Sequence, residues 1–325
     1  VEVQRHLHVD TSKNIVDIHF DIKPRLQAYF GETTIEGDSL VAEKFIRKQL
    51  KFDRGELYSR DEIEKTQEKL FNTDLFRYVV IRAQKDQFSQ NKIPVKVELE
   101  ELPSWSLEAG AGYGTEDRFR LSARLTKLQF LGGTRKFIFI GKRSHFLPVS
   151  LETKFIQPNF VADNLDLVLN PFYITENEKS YRVDRLGGGV TFQQTFSPST
   201  SGYLMYSMER NFLQSKIELD SLLNNRREVT HDKSGITVGI TRNTTNDPFN
   251  PTQGWKINGH FTYMGIGFKS RFNYYSSEFE LSRYYQLDKD WILAGKLSAG
   301  FIKPLKGDVT SIEDRFLIGG ASSLR

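Results

Sequence analysis

The chain has 325 residues, no cysteine and a formal net charge of +4. Without cysteine there is no disulfide framework, thiolate chemistry or Cys-ligated zinc, and the mild basic bias is spread along the chain rather than gathered into a nucleic-acid-binding arm. No stretch approaches the ~20 apolar residues of a membrane-spanning helix and mean hydropathy is -0.47, but membrane-crossing strands expose apolar residues only at alternate positions and average out as polar, an option that 25 Phe and 13 Tyr keep open.

The chain opens mid-strand at "VEVQRHLHVD" with no signal sequence, as a processed or truncated end would. "NIVDIHFDIKP" alternates Ile15, Asp17, His19 and Asp21 against Val16, Ile18, Phe20 and Ile22, the period of a half-buried strand. With the turn "DTSKN" the two make a hairpin, read as the closing pair of a preceding small domain over residues 1–24, because a lone hairpin is marginal.

Residues 25–102 give one complete β-α-α-β-β pattern. A strand "LQAYFGETTIEG" turns at Gly37 and Asp38, and a first helix follows with Ser39 as N-cap and Leu40, Phe45 and Leu50 near one stripe. The second helix has a capping-box spacing in Ser59 and Glu62, then Ile63, Thr66, Gln67, Leu70 and Phe71 at helical period. The strands "LFRYVVIRAQ" and "IPVKVELEEL" complete the unit.

From Trp105 strict alternation replaces helical period. Trp105, Leu107, Ala109, Ala111 and Tyr113 face one way; Ser106, Glu108, Gly110, Gly112 and Gly114 face the other. The same split predicts eleven strands, near 104–114, 118–130, 135–142, 149–157, 164–174, 180–196, 201–213, 234–243, 254–266, 271–287 and 290–304. Strands of this length, one face of small and charged residues, and aromatics at strand ends (Trp105, Tyr113, Trp255, Tyr263, Tyr284, Tyr285, Trp291) favour a membrane barrel over a soluble sandwich. With the first strand running outward, "GGT", "ADN", "SPST" and "LDK" are short inner turns and "QSKIELDSLLNNRREVTHDK" is the longest outer loop. Residues 103–325 then end on the outer side with an odd strand count, which a closed bacterial barrel does not have.

Three motifs carry a family likeness. The β-α-α-β-β unit with "LFNTDLFRYVVIRA" resembles a POTRA domain; "TRNTTNDPFNPTQGW" resembles a turn, and "RFLIGGASSLR" the sixth extracellular loop signature, of the BamA/TamA superfamily of outer-membrane barrel insertases. The likeness covers essentially the whole chain and implies the fold class: an α+β POTRA domain followed by an all-β transmembrane antiparallel barrel, with eleven of sixteen strands present and five expected after the loop.

The resemblance also implies a function, the assembly and insertion of β-barrel or surface proteins in the outer membrane of a Gram-negative bacterium, with POTRA domains in the periplasm. The implied partners are unfolded outer-membrane protein clients, the lipid bilayer and periplasmic or lipoprotein accessory subunits, with no nucleic acid and no cofactor. A two-partner secretion pore is the alternative, and a passive channel is disfavoured by the POTRA unit. The second POTRA strand, Phe76, Arg77, Tyr78, Val79, Val80, Ile81 and Arg82, is expected at a sheet edge, where backbone groups can pair with an extended client; packing against the helices is the plainer reading. The first barrel strand, through Trp105, Leu107, Ala109, Gly110, Ala111, Gly112 and Tyr113, is expected to form a lateral gate weakened by its glycines, against an ordinary closed seam. Arg315, Phe316, Gly319, Gly320, Ser323, Leu324 and Arg325 make up the loop-six motif. By resemblance its arginine folds into the lumen to meet acidic residues beyond the chain given, while Glu278 and Glu280 point inward without an assigned partner.

Enzyme chemistry finds no support. His6 and His8 share a strand face without a further ligand nearby and read as surface histidines, so no metal site is assigned. "GAGYG" and Gly187–Gly189 lack the strand-to-helix setting of a phosphate loop and fit a barrel wall. The sequon at Asn243 falls on the inner side and is discounted.

Overall fold

The computed structural model describes the chain apart from residues 1, 11–14, 24–26, 38–39, 217–227, 268–269, 290, 306–309 and 317–325. It divides into two compact units, Val1–Leu102 and Pro103–Arg325.

In the first unit β1 (Glu2–Asp10) and β2 (Ile15–Lys23) form an antiparallel hairpin with His6 opposite His19. His6 lies 3.4 Å from the Asp21 carboxylate, both side chains exposed. The alternation reads as a half-buried strand, yet Leu7, Val16, Ile18 and Phe20 are exposed together on one face. The period marks an apolar face, and no described residue covers it.

The same unit continues through β3 (Tyr29–Glu36), α1 (Glu43–Gln49), α2 (Arg60–Phe71), β4 (Phe76–Ala83) and β5 (Lys92–Glu101). The sheet order is β3-β5-β4, with β5 parallel to β3 and antiparallel to β4. Alternation along β5 buries Ile93, Val95, Val97 and Leu99 in a core with Phe30, Ile46, Phe52, Ile63, Leu70 and Leu75, each large apolar side chain contributing roughly 1.5–3 kcal/mol. Phe30 stacks on Phe52 at 4.1 Å. The opposite face carries ion pairs: across the sheet Lys96 with Glu36 at 2.9 Å and Arg77 with Glu100 at 3.0 Å, and along β5 Lys96 with Glu98 at 3.2 Å. Gly37 is required by its turn, since φ is +92° and a Cβ there would collide with the Leu99 carbonyl.

Four local expectations change. The first helix starts at Glu43 with Ala42 in the N-cap position, while Ser39 and Asp38 lie outside the described residues. The amides leading into the helix are capped from 60 residues away: Glu101 at the end of β5 accepts hydrogen bonds from Leu40 N at 2.9 Å and Val41 N at 2.8 Å. Ile46 and Gln49 are the residues α1 buries, and Leu40 precedes the helix and is exposed. Ser59 is the N-cap of α2 by position but makes no side-chain capping bond. In α2 the buried stripe is Ile63, Thr66 and Leu70, with Gln67 and Phe71 turned to solvent, because a one-sided stripe spaced three and four apart leaves its neighbours on the flanks.

The second unit is a single antiparallel sheet in which every strand pairs with its sequence neighbours. Its eleven described strands are β6 (Trp105–Gly114), β7 (Arg118–Leu128), β8 (Lys136–Arg143), β9 (Val149–Gln157), β10 (Leu165–Asn177), β11 (Tyr181–Ser197), β12 (Thr200–Ser215), β13 (Glu228–Asn243), β14 (Gly254–Met264), β15 (Tyr274–Asp288) and β16 (Trp291–Pro304). The sheet is open among the described residues, with β6 and β16 at its edges. The registers align one apolar face across all eleven strands: Leu107 opposite Leu125, Leu125 opposite Phe139, Leu169 opposite Phe155 and Val190, and Leu281 opposite Ile257 and Leu297. Trp105, Leu107, Tyr113, Phe192, Leu204, Val238, Ile240, Trp255, Phe261, Leu293 and Leu297 are exposed on it, a surface far beyond what a water-facing sheet displays and suited to lipid. At one end of the strands Lys127 lies over the Trp105 ring at 4.9 Å and Arg283 over Trp255 at 4.2 Å, the mixed aromatic and cationic rim of an interface.

Two local devices support the sheet. Gly239 on β13 lets the Tyr203 ring of β12 lie against the backbone where a Cβ would otherwise sit. On β10, Pro171 has no N–H, and the ladder to β9 skips Asn170 and Pro171. The Asn170 side-chain amide donates instead to the Thr153 carbonyl of β9 at 3.0 Å.

The outer connections differ from expectation. Between β6 and β7, β8 and β9, and β10 and β11 they are short. The segment read as the longest loop is strand at both its ends: β12 runs on to Ser215 and β13 begins at Glu228, with residues 217–227 outside the described set.

Candidate functional site

The site residues expected from sequence fall in three places. The first is β4, which lies at an edge of its sheet with β5 as its one described strand partner. Phe76, Val79 and Ile81 are buried in the core, whereas Arg77, Tyr78 and Arg82 are exposed and Val80 is half-buried. The side chains of β4 therefore pack one way while its backbone edge stays open, so the packing role and the edge role occupy different groups of the same strand.

The second is β6, the first strand of the large sheet, paired along its length with β7 from Trp105 opposite Lys127 to Gly114 opposite Arg118. Its polar face consists largely of Gly110, Gly112 and Gly114, over which the Ser122, Arg120 and Asp117 side chains lean. Glycine removes side-chain contact from the strand and leaves backbone pairing as its principal tie.

The third is the segment after β16. Arg315 and Phe316 are described and exposed, whereas Gly319, Gly320, Ser323, Leu324 and Arg325 lie outside the described residues. Glu278 and Glu280, noted as inward acidic residues, are engaged within the sheet: Glu280 pairs with Lys296 at 2.8 Å and Glu278 approaches His260 at 3.6 Å. Asn243 accepts hydrogen bonds from Thr245 N and Oγ1 in its own turn.

A set of residues that the sequence did not disclose surrounds this third place. A short 3₁₀ turn, Ile312–Asp314, is seated on the polar face where β13 runs past β14. His231 Nε2 donates to Glu313 at 2.7 Å, and Lys233 Nζ bridges Glu313 at 2.8 Å and Asp314 at 2.7 Å. Asn211 Nδ2 donates to Glu209 at 3.0 Å and Glu313 at 3.3 Å. Ser311 Oγ also bonds Glu313, and the Tyr274 hydroxyl of β15 faces Asp314. The side chains of His231, Lys233 and Glu313 are at most 2% exposed. Beside them Arg185 of β11 bridges Glu176 at 2.9 Å and Glu209 at 2.7 Å.

The electrostatics of the turn are uneven. Burial pushes the Glu313 carboxyl up, but the His231 hydrogen bond and the Lys233 charge outweigh it and hold the group well below the usual carboxylate range. For Asp314 burial wins: Lys233 offsets it only in part, nearby Glu313 adds repulsion, and the carboxyl is raised. One ammonium thus serves two carboxylates, fully for one and incompletely for the other. Phe316 adds a second contact, its ring occupying the space above Gly300 of β16, where a Cβ would lie 2.8–3.0 Å from it.

Residues 129–325, more than half of the chain, match the family model described as the Omp85 superfamily domain. Residues 28–102 match the POTRA model, described as a surface antigen variable number repeat. Among curated proteins, the chain is 21% identical to outer membrane protein assembly factor BamA of Nitratidesulfovibrio vulgaris, covering 100% of this chain and 41% of that protein. It is 20% identical to the BamA of Neisseria meningitidis serogroup B, covering 86% of this chain and 37% of that protein. The chain thus spans about two fifths of these relatives' length. Among solved structures, BamA from Haemophilus ducreyi lacking POTRA domains 1-3 superimposes with a TM-score of 0.78 at 19% identity, covering 100% of this chain and 64% of that one. CdiB from Acinetobacter baumannii gives 0.54 at 14% identity, covering 99% and 60%. With a POTRA unit, eleven barrel-type strands and a family model that covers β8 to β16, the chain belongs to the Omp85 superfamily.

Proposed function

We propose that this chain is part of an outer-membrane protein that folds β-barrel clients into the bilayer. The observation that carries this reading is the likeness along the entire chain to outer membrane protein assembly factors. The geometry supplies a mechanism. The POTRA unit, in the periplasm, offers the open backbone edge of β4, and an extended client segment adds to it as a further strand. Main-chain bonding tolerates many client sequences, and the exposed Arg77, Tyr78 and Arg82 bias the choice. At the barrel, β6 acts as the gate strand: an unpaired edge in lipid costs several kcal/mol per polar group, so a client strand that pairs with β6 relieves that cost. Client folding drives the process.

The test is depletion of the full-length protein in its own cells, followed by quantitation of outer-membrane proteins. Loss of many barrel proteins is the expected result. Loss of a single secreted polypeptide with other barrels intact would instead make the protein an export pore and sink the insertion reading. Cysteines placed at Gly110 in β6 should cross-link to cysteines in the edge strand of a stalled client, and a gate that never opens would give no such product.

A further inference from the structure

Among the described residues, buried charge outside the two strand edges concentrates at the seat of the Ser311–Phe316 segment. A purely structural seat would be better built from apolar side chains, because a buried ion pair recovers its desolvation cost only with good geometry and is often no more stabilising than a hydrophobic replacement. Charged groups do confer register, since each must find its own partner. Here Glu313 and Asp314 are read by His231 and Lys233 of β13, about eighty positions earlier in the chain, and Phe316 by the missing side chain of Gly300 on β16. The contacts therefore tie the segment at two points, one ionic and one aromatic, on strands that are not adjacent.

We propose that Ser311–Phe316 is a two-point latch, with His231 and Lys233 as positioning residues that fix where the loop motif beginning at Arg315 leaves the sheet, so that the loop is held for client insertion and can be released. The latch residues lie ahead of the glycine-rich part of the motif, and Lys233 is the hub. Removing its charge leaves Glu313 and Asp314 buried together without a cation. Releasing the segment costs no strand pairing, because no residue from Ser311 to Phe316 belongs to the sheet. The role in insertion rests on the function proposed above; the latch itself does not.

The experiment uses the full-length protein in proteoliposomes, with a single reporter cysteine at Ile312 and a water-soluble maleimide. The parent should label slowly. Glu313→Gln/Asp314→Asn, which alters only the segment, should label at least tenfold faster, with the barrel still folded by its heat-dependent gel mobility. Lys233→Met should do the same. Lys233→Arg should stay within about threefold of the parent, because a guanidinium can span two carboxylates. Client insertion by the two fast-labelling variants should fall about tenfold and recover in Lys233→Arg. Labelling of the segment variant at the parent's rate would overturn the latch, whether or not Lys233→Met folds. Faster labelling with unchanged insertion would overturn the positioning role. A parent that inserts no client at all sinks the functional reading instead, and the labelling result still decides whether the segment is latched.

Discussion

Glu101→Ala tests whether a contact between distant parts of the chain organises the POTRA unit. The carboxylate ends the central strand β5 and accepts hydrogen bonds from Leu40 N and Val41 N. Val41 is 7% exposed, so its amide loses its partner with little access to water, at a cost of about 1–3 kcal/mol. Leu40 is exposed and its amide can turn to solvent, for roughly 0.5 kcal/mol more. The sum is about 2 kcal/mol, which in a unit of this size lowers Tm by roughly 8–16 °C. Urea denaturation of Val1–Leu102 followed by far-UV circular dichroism should show the midpoint falling at an unchanged slope. Glu101→Gln keeps an acceptor oxygen and should lose about half as much. If both variants unfold within about 0.5 kcal/mol of the parent, a threshold set by surface substitutions, the cap does not hold the start of α1 and the reasoning fails.

In the barrel, Gly239→Ala forces the Tyr203 ring off the β13 backbone and should cost about 1–3 kcal/mol, read as a lower temperature for the mobility shift on gels, with Tyr203→Ala in the same background recovering part of it. Arg185→Met leaves Glu176 and Glu209 facing each other without their cation and should destabilise by about 3 kcal/mol, whereas Arg185→Met/Glu176→Gln/Glu209→Gln should lie closer to the parent. The seat of the 3₁₀ turn should depend on acidity in two opposed ways. Glu313 is depressed when seated, so its contribution is present above the free carboxylate range and is lost as pH falls through its seated value; Asp314 is raised, so its contribution is present below the free range and is lost as pH rises through its seated value. The fluorescence of an environment-sensitive dye on a cysteine at Ile312 should therefore report release of the turn in strong acid, and Glu313→Gln should abolish that acid transition, whereas Asp314→Asn should keep it.

The alternation that made the strands legible is the alternation of lipid and lumen. Leu107 against Glu108, or Ile257 against Asn258, announces a strand because one side faces hydrocarbon. Where β13 runs beyond that band, as Thr230, His231, Asp232, Lys233 and Ser234, both faces are polar and the period vanishes, so strand reads as loop. The docked turn was hidden for the same reason: His231 and Lys233 sat inside what looked like a solvated loop, and their partners Glu313 and Asp314 stand some eighty residues later. Glu101 shows the same limit in the POTRA unit. Local signals such as Ser39 and Ser59 suggest side-chain caps, while the bonds that are made to the start of α1 come from across the fold. The β-α-α-β-β order was visible throughout, because β5 and α2 each keep one clean period.

The repair at Asn170 and Pro171 has a consequence for how the sequence can change. Proline alone would leave the Thr153 carbonyl without a donor at membrane depth, whereas asparagine alone adds a second donor to an oxygen that has two lone pairs. The two changes therefore have an order of low cost, asparagine first and proline second, and the reverse order passes through an unpaired carbonyl.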